Sequence, residues 1–289
     1  MNKLATTIHN VLLLKKPNKK IAILSDVISN YIRAKGLKVY DEEEFKQSNC
    51  NIELIVCLGG DGCLLHANSL FQQHVPLIIP FNLGTLGFLT PFNIKDYKTI
   101  LDNVIDGSND NVGIRNRLIC TIHRANSTEL ESFTILNEVL IDRGNSPYHA
   151  TLLLHCNDKF LTKVESDGII ISTATGSTAY SMSAGGSCVH PSVECICVTP
   201  ICPLSLSFRP LIISDSVQIK IQVTSSSSIS FDGKHRQELH SGDYVIINKS
   251  EYSVTVLCKT NYYDDWFDNL NNSLQWNSRK KNSDDVYEL

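Results

Sequence analysis

Short apolar runs recur through the first ninety residues and are separated by polar or glycine-containing segments. The runs are continuous rather than alternating, and they lie at positions 11–14, 21–24, 54–58 and 77–81. Continuous runs of this length are typical of strands that are buried on both faces of a parallel sheet. We therefore predict that each run forms a strand of such a sheet.

Helical spacing appears between these runs. Apolar residues recur at helical intervals over 27–32, with Ser25 before them as a suitable N-cap and Gly36 after them as a suitable C′ residue. A second helix is predicted over 64–71. Strands that alternate with helices predict an α/β unit built on a Rossmann-like parallel sheet.

The pattern changes near Arg115 to an alternation of apolar and polar residues. The alternating apolar positions are 217, 219, 221 and 223, and then 254, 256 and 258. Turn dipeptides follow strand-like runs at Asn157-Asp158 and Asp232-Gly233, and few helical patterns interrupt. This part of the chain therefore predicts an all-β, sandwich-like unit.

The end of the chain returns to helical spacing. Trp266, Leu270 and Leu274 lie on one helical face, and the charged residues 279–281 that follow are expected to fray. We expect an α/β domain over 1–112, a β-sandwich-like domain over 113–261 and a tail over 262–289.

Composition and charge exclude several classes of protein. The 289 residues are 42% apolar and 19% charged, which fits a globular protein of two ordinary domains or one large one. A net charge of −4 argues against a large nucleic-acid surface. No apolar stretch reaches the roughly 18 residues of a membrane span. The N-terminus has no convincing signal sequence and no arginine in its first thirty residues, so we expect a cytoplasmic protein.

Ten cysteines are present, and many of them lie in apolar stretches. These are Cys57, Cys120, Cys195, Cys197, Cys202 and Cys258. In a chain without an export signal we expect them to be reduced and buried. Two of them form a C-x-C pair, but no C-x-x-C or His pair accompanies it, which argues against a structural zinc site.

The candidate chemistry begins at Gly59-Gly60-Asp61-Gly62, directly after an apolar run. Glycines lack a Cβ, so the backbone there can approach a phosphate closely, and the helix predicted after the turn would point N–H groups at an anion. An aspartate beside such a turn can hold Mg²⁺ or accept a hydroxyl proton. The segment therefore suggests phosphoryl transfer, although a plain strand-to-helix turn is the simpler interpretation of so short a motif.

Four further segments carry polar groups that could bind a nucleotide. They are 82–90, Asn137-Glu138, Asp167-Gly168 and the small, hydroxyl-rich stretch 173–186. Alone, each has a structural interpretation: a glycine loop, a polar pair at a strand end, a turn, and a loop with a helix cap. Together they supply small residues that admit a flat ring, and acids and amides that can bind ribose hydroxyls and an exocyclic amine.

These segments, in this order, resemble the NAD kinase family from about position 11 to position 281. The matching segments are GGDG at 59–62, NLGTLGFL at 82–89, LNEVLIDRG at 136–144, SDGIIIST at 166–173, TGSTAYSMSAGG at 175–186 and TPICPLSLSFRPLI at 199–212. The segment FDGKHRQE at 231–238 and the tail resemble the eukaryotic, cytosolic branch. No P-loop sequence is present.

The resemblance implies an activity and an architecture. Family members use Mg²⁺ and transfer the γ-phosphoryl of ATP to the 2′-hydroxyl of the adenosine ribose of NAD⁺, giving NADP⁺. They join an α/β domain to a β-sandwich-like domain with NAD between them, the tail returns to the first domain, and they form homo-dimers or tetramers. We expect the same here, with no membrane or nucleic-acid partner.

The resemblance also assigns residues. Asp61 corresponds to the catalytic aspartate, which acts as general base toward the ribose 2′-hydroxyl, and Gly59, Gly60 and Gly62 would shape the approach of the phosphates. Asn137 and Glu138 would bind the adenosine. Asp167 would contact the nicotinamide end or its ribose. The dinucleotide pocket would be lined by Thr175, Thr178, Ala179, Tyr180 and Ser183, and, by a weaker transfer, Tyr148.

Four residues depart from the family pattern. Cys63 stands where a threonine is usual, Ala174 where proline is frequent, and Leu204 where histidine is frequent. Lys234 stands where bacterial relatives often carry glutamine. None of these is an assigned site residue.

Alternatives to the NAD⁺ kinase remain open. The same motifs permit a kinase that prefers NADH, a polyphosphate donor, or a catalytically silent NAD(P)-binding regulator. A lipid kinase with the same glycine turn is disfavoured by the adenosine-binding segments.

Overall fold

The computed structural model describes residues 8–48, 50–84, 87–108 and 111–277. The helices are α1 (Lys19–Ala34), α2 (Glu42–Gln47), α3 (Asp61–Leu70), α4 (Tyr97–Ile105), α5 (Tyr180–Ser183) and α6 (Tyr262–Leu274). Short 3₁₀ turns cover Ile94–Asp96 and Thr175–Thr178. The charged segment 279–281, expected to fray, lies outside the described residues.

The strands fall into three sheets. In chain order they are β1 (Asn10–Lys15), β2 (Lys38–Tyr40), β3 (Leu54–Leu58), β4 (Leu77–Asn82), β5 (Phe92–Asn93), β6 (Val112–Arg115), β7 (Leu118–His123), β8 (Leu130–Ile135), β9 (Glu138–Asp142), β10 (Ala150–Cys156), β11 (Lys159–Ser166), β12 (Gly168–Thr173), β13 (Cys195–Ile201), β14 (Leu211–Ser214), β15 (Ile219–Val223), β16 (Ser227–Phe231), β17 (Lys234–Leu239), β18 (Tyr244–Lys249) and β19 (Val254–Leu257).

The first sheet has the order β2-β1-β3-β4-β19-β6, with β5 beside β4. Its strands pair in parallel from β2 to β19, and β6 pairs antiparallel with β19. Strand β3 is buried at every position, as its continuous apolar run predicts. This confirms the predicted α/β fold around a mainly parallel sheet.

The other two sheets are antiparallel and pack on each other. Their orders are β11-β10-β15-β18-β7-β8 and β14-β13-β12-β9-β16-β17. One apolar core joins them, with Leu152 and Ile221 from the first of these sheets and Val139 and Ile171 from the second. The sandwich-like second unit is therefore confirmed.

The first sheet extends beyond the expected domain boundaries. Strand β6 continues past residue 112, and β19 takes in residues 254–257, which the expected division placed in the second unit. In the tail, Asn269 Nδ2 donates to the Phe88 carbonyl oxygen at 3.0 Å, and the ring centroid of Trp266 lies 6.2 Å from that of Phe88. Helix α6 thus contacts the N-terminal part of the chain.

The apolar run at 21–24 is not a strand, and that prediction was wrong. It lies inside α1, which begins at Lys19, so Ser25 is an interior residue rather than the N-cap. Ile23 is 70% exposed while Ile28 is fully buried, as expected on two faces of an amphipathic helix. The prediction for Gly36 was right, since it follows the helix with a φ of +86°.

One smaller expectation also needs correction. Cys202 is exposed rather than buried, because β13 ends at Ile201 and the chain turns there with a φ of +45° at Cys202. The other five cysteines predicted to be buried are buried. Within the part of the chain that the structure describes, no helix is long and apolar enough to span a membrane.

Candidate active site

Asp61 is the first residue of α3, directly after the glycine turn that leaves β3. Its Oδ2 accepts a hydrogen bond from the Phe88 N–H at 3.0 Å, and its Oδ1 accepts one from the Leu89 N–H at 2.9 Å. Each carboxylate oxygen has two acceptor sites, so both retain one for a further partner. The 82–90 segment therefore fixes the orientation of Asp61 and leaves it able to act on a ligand.

Gly87 makes this approach possible. A Cβ at position 87 would lie 2.2 Å from Asp61 Oδ1 and 2.5 Å from Thr90 Oγ1, so a side chain there would force these groups or the backbone to move. The Gly87 N–H donates to Thr90 Oγ1 at 3.2 Å. The sequence indicated the segment but not this role, and its residues 85 and 86 lie outside the described part of the chain.

Glu138 is the first residue of β9 and Asn137 directly precedes it; Asn137 is 8% exposed and Glu138 is 7% exposed. Among the described residues, neither Asn137 Oδ1 nor Glu138 Oε2 has a hydrogen-bond partner. Leaving a buried polar group without a partner costs about 1–3 kcal/mol. Two such acceptors side by side in the sequence make this a candidate site for a ligand that carries hydrogen-bond donors.

Glu138 titrates near neutrality. Its pKa is raised to about 7, mainly because burial disfavours the carboxylate and also because Asp232 lies nearby. The backbone N–H of Tyr180 opposes this by stabilising the charged form. Glu138 can therefore accept or donate a hydrogen bond at physiological pH.

The hydroxyl-rich segment packs directly on this pair. Thr173 Oγ1 donates to the Leu136 carbonyl at 2.6 Å and accepts from the Gly176 N–H at 3.0 Å. A Cβ at Gly176 would lie 2.1 Å from the Asn137 carbonyl oxygen, so only glycine permits this packing. The structure thus brings Asn137, Glu138 and Thr175-Gly176 together.

The remaining residues of this segment belong to the 3₁₀ turn and to α5, which follow Thr173 in the chain. Thr175 is buried, and its Oγ1 accepts a hydrogen bond from Arg115 Nη1 at 3.4 Å. Thr178 Oγ1 donates to the Thr175 carbonyl at 3.2 Å. Ala179 precedes α5, whose Tyr180 is 43% exposed and whose Ser183 is also exposed, so Tyr180 is not a core residue.

Asp167 and Tyr148 lie elsewhere. Asp167 precedes β12 while Thr175 follows it, and a strand of that length separates them by about 20 Å. Asp167 Oδ1 pairs with Arg143 Nε at 3.1 Å and lies 3.8 Å from His149 Nδ1, and Tyr148 is 79% exposed. Within one chain, then, this group is not next to Asn137 and Glu138.

Asp232 was predicted only as a turn residue, yet its carboxylate lies under the Asn137-Glu138 pair. It accepts N–H hydrogen bonds from Leu136 at 3.0 Å, Asn137 at 2.7 Å and Glu138 at 3.2 Å. In the sequence, Asp232 was marked only by the turn dipeptide Asp232-Gly233 after a strand-like run and by its place in the segment FDGKHRQE.

Both halves of the chain match known sequence families. Residues 38–109 match the ATP-NAD kinase N-terminal domain, and residues 136–258 match the ATP-NAD kinase C-terminal domain. The crystal structure of yeast NADH kinase complexed with NADH superposes with a TM-score of 0.88 at 33% identity, covering 96% of this chain and 90% of that one. The chain belongs to the NAD kinase family.

Curated relatives of this NAD kinase family member are longer. The ATP-NADH kinase of Saccharomyces cerevisiae is 42% identical over 263 residues, which cover 85% of this chain and 52% of that protein. Probable NAD kinase 1 of Oryza sativa subsp. japonica is 47% identical over 253 residues, which cover 85% of this chain and 47% of that protein. The chain thus spans about half the length of these two relatives.

The departures from the NAD kinase pattern fall in three places. Leu204 is 59% exposed and Ala174 is buried at the start of the 3₁₀ turn. Cys63 and Lys234 line a pocket of about 460 Å³ beside the glycine turn. The other residues that line it are Lys15, Lys16, Pro17, Glu42, Gly60, Gly62 and His66.

Proposed function

We propose that this chain transfers the γ-phosphoryl of ATP to the 2′-hydroxyl of the adenosine ribose of NAD⁺, giving NADP⁺ and ADP. The observation that carries the proposal is the pair of buried acceptors, Asn137 Oδ1 and Glu138 Oε2, without partners among the described residues. The exocyclic amine of adenine and the ribose hydroxyls are donors of the kind that these acceptors need.

Asp61 is the proposed general base. Its carboxylate is held by the N–H groups of Phe88 and Leu89 and keeps acceptor capacity on both oxygens. Because the transition state of phosphoryl transfer is loose, orienting the 2′-hydroxyl matters as much as removing its proton. General-base assistance typically contributes roughly 10²–10⁴-fold to the rate.

The pocket beside Gly60 and Gly62 is the proposed site of the donor phosphates. Lys15, Lys16 and Lys234 line it, and it adjoins the turn that opens α3. Lysine ammonium groups and the N–H groups at a helix N-terminus both attract phosphate. The phosphoryl donor, ATP, and the acceptor, NAD⁺, would thus lie on either side of the glycine turn and the start of α3, where Asp61 is.

Mg²⁺ fits this arrangement if the phosphates of the bound ATP supply part of its ligands. Among the described residues, no three His, Cys, Asp or Glu side chains are grouped to hold a metal ion by themselves. Mg²⁺ is usually bound by one or two carboxylates together with substrate phosphates, and Asp61 would be that carboxylate here. When bound, the ion would neutralise charge on the phosphoryl oxygens.

The test is NADP⁺ formation by the purified chain with ATP, Mg²⁺ and NAD⁺, measured with an NADP-specific dehydrogenase. We expect product above the control without ATP and none in the presence of EDTA. If neither NAD⁺ nor NADH is phosphorylated, with ATP or with polyphosphate, the proposed activity is wrong, and a catalytically silent NAD(P)-binding regulator becomes the favoured alternative.

NADH is the second candidate acceptor, and the similarity to yeast NADH kinase favours it. Both dinucleotides carry the same adenosine, so Asn137, Glu138 and Asp61 would serve either one. Initial rates at equal NAD⁺ and NADH concentrations decide between them. A faster rate with NADH would replace NAD⁺ as the preferred substrate.

A further inference from the structure

Asp232 occupies a turn that few residue types tolerate. It follows β16 with a φ of +48°, and Gly233 continues the turn with a φ of +70° before β17 begins. Left-handed backbone disfavours most side chains but is accepted by asparagine, aspartate and glycine. In this turn the carboxylate of Asp232 lies against β9 and not in solvent.

The carboxylate holds three successive N–H groups. Oδ1 accepts from Asn137 at 2.7 Å and from Glu138 at 3.2 Å, and Oδ2 accepts from Leu136 at 3.0 Å. These N–H groups belong to the residues that present Asn137 Oδ1 and Glu138 Oε2 to the proposed adenosine site. The orientation of that pair therefore depends on Asp232.

The same carboxylate is linked to α3. Asn68 Nδ2 lies 3.5 Å from Asp232 Oδ2, and Asn68 Oδ1 accepts from Arg117 Nη1 at 3.1 Å. Asn68 is fully buried and lies seven residues, or about two helical turns, beyond Asp61 on the same face of α3. The linkage thus reaches the helix that begins with the proposed base.

Arg117 anchors this linkage. It is fully buried, and it also donates from Nη1 to the Phe71 carbonyl at 2.8 Å and from Nη2 to the Gln73 carbonyl at 2.5 Å, just after α3 ends. Burial lowers its pKa to about 10, opposed by the charge of Asp232, so it remains a cation at neutral pH. The end of α3 and the Asp232 turn therefore share one buried cation.

A second contact joins the same two elements. Lys234 Nζ lies 3.4 Å from His66 Nδ1, and His66 Nε2 lies 2.7 Å from Glu42 Oε2. His66 belongs to α3 and Lys234 to β17. The β16–β17 turn is therefore held against α3 on both sides of Gly233.

We infer that Asp232 is a positioning residue for the proposed adenosine-binding pair, Asn137-Glu138. It fixes the position of this pair relative to Asp61 through its contact with Asn68 on α3. The inference rests on the proposed function. A shift of about 1 Å between the reacting groups can lower a rate by roughly 10²-fold, so a residue that touches neither substrate can still affect catalysis strongly.

The experiment compares Asp232→Asn with a matched control. Asparagine keeps the shape and tolerates the positive φ, but its amide nitrogen cannot accept the N–H groups that the carboxylate holds. The control is Asp243→Asn, since Asp243 is also buried and accepts the N–H groups of Ala125 at 2.9 Å and His240 at 3.0 Å, away from the proposed site.

Asp232→Asn should raise the KM for NAD⁺ and lower kcat, each by roughly tenfold, while the KM for ATP stays within twofold. If Asp232 had a purely structural role, the substitution would only reduce the fraction of enzyme that is folded and active. The measured kcat would then fall while both KM values stayed unchanged. This is the pattern that we expect of Asp243→Asn. That pattern in Asp232→Asn, or no change at all, would overturn the inference.

Asn68→Ala tests the contact between Asp232 and α3. It is also the variant that tests the inference if Asp232→Asn does not fold. Asp232 then still holds residues 136–138, so kcat should fall severalfold while the KM for NAD⁺ stays within twofold. An unchanged kcat would overturn the link.

The proposed function can fail separately. If the parent chain phosphorylates neither NAD⁺ nor NADH, calorimetric titration with NAD⁺ still tests Asp232. We then expect a weaker Kd for Asp232→Asn than for the parent and Asp243→Asn, and an equal Kd in all three would overturn the inference.

Discussion

Gly87 and Asp61 are so close that a Cβ at position 87 would lie 2.2 Å from Asp61 Oδ1. The next two backbone N–H groups, those of Phe88 and Leu89, hold the two oxygens of that carboxylate. The proposed base is therefore oriented by backbone that can approach it only where a side chain is missing.

Gly87→Ala should therefore lower kcat by at least tenfold, because the methyl group must displace either the carboxylate or the 87–90 backbone. Steady-state rates with ATP and NAD⁺ measure the effect, and thermal unfolding checks the fold. Gly107→Ala is the control, since Gly107 has a φ of +68° and open space around it. That variant should lose about 1–2 kcal/mol of stability and keep the parent kcat. A kcat of Gly87→Ala within twofold of the parent would contradict the prediction.

Asp61→Asn should lower kcat by roughly 10²–10⁴-fold, as expected for loss of a general base. Binding of NAD⁺ should change little, because Asn137 and Glu138 are untouched. The rate is measured by NADP⁺ formation and the affinity by calorimetric titration. Asp158→Asn makes the same chemical change at an exposed turn residue and should leave both unchanged. Full activity in Asp61→Asn would remove Asp61 from the role of base.

Lys16→Gln should raise the KM for ATP severalfold and leave the KM for NAD⁺ within twofold. Lys16 lines the pocket beside Gly60 and Gly62, where the donor phosphates are proposed to bind. A charge-assisted contact of lysine to phosphate is stronger than a neutral hydrogen bond and weakens as salt rises, so the difference between parent and variant should shrink with added salt. Lys159→Gln, at the exposed first residue of β11, is the control. An equal rise in both KM values would place Lys16 outside the donor pocket.

The sequence predicts most of what depends on neighbours along the chain. The apolar run of β3, the glycine turn after it and the paired polar residues Asn137-Glu138 could all be identified before the structure. The run at 21–24 was misassigned because four apolar residues fit either a strand or about one turn of a helix. A longer window would have shown the helical spacing that continues to Ile32.

Contacts between distant residues could not be predicted in this way. Asp232 meets Asn137 across a sequence separation of 95, and Arg117 meets Asn68 across 49. Nothing in the local pattern distinguishes Asp232 from any other turn aspartate, because its role depends on sheet pairing that brings β16 beside β9. The local sequence thus identified the candidate residues Asp61, Asn137 and Glu138, but it did not indicate that Asp232 and Arg117 hold the segments around them.

Glu138 should make stability depend on pH in a direction opposite to that of an ordinary salt-bridged carboxylate. Its pKa is about 7 in the folded chain, raised by burial and then by Asp232, against an ordinary value of 4.5. The folded chain therefore binds more protons than the unfolded chain between these values, and the contribution of Glu138 to stability is full below about pH 4.5 and is lost as the pH rises through about 7. The loss is at most about 3 kcal/mol.

Glu138→Gln removes this titration, so its unfolding free energy relative to the parent should rise by up to that amount between pH 4.5 and pH 8. Urea unfolding of both proteins across this range measures the difference. Glu129→Gln changes an exposed glutamate in the loop before β8 and should give a difference that is flat with pH. A flat difference for Glu138→Gln as well would mean that Glu138 titrates like a solvent-exposed carboxylate. It would then be ionised at neutral pH, and its Oε2 would act only as an acceptor for a bound dinucleotide.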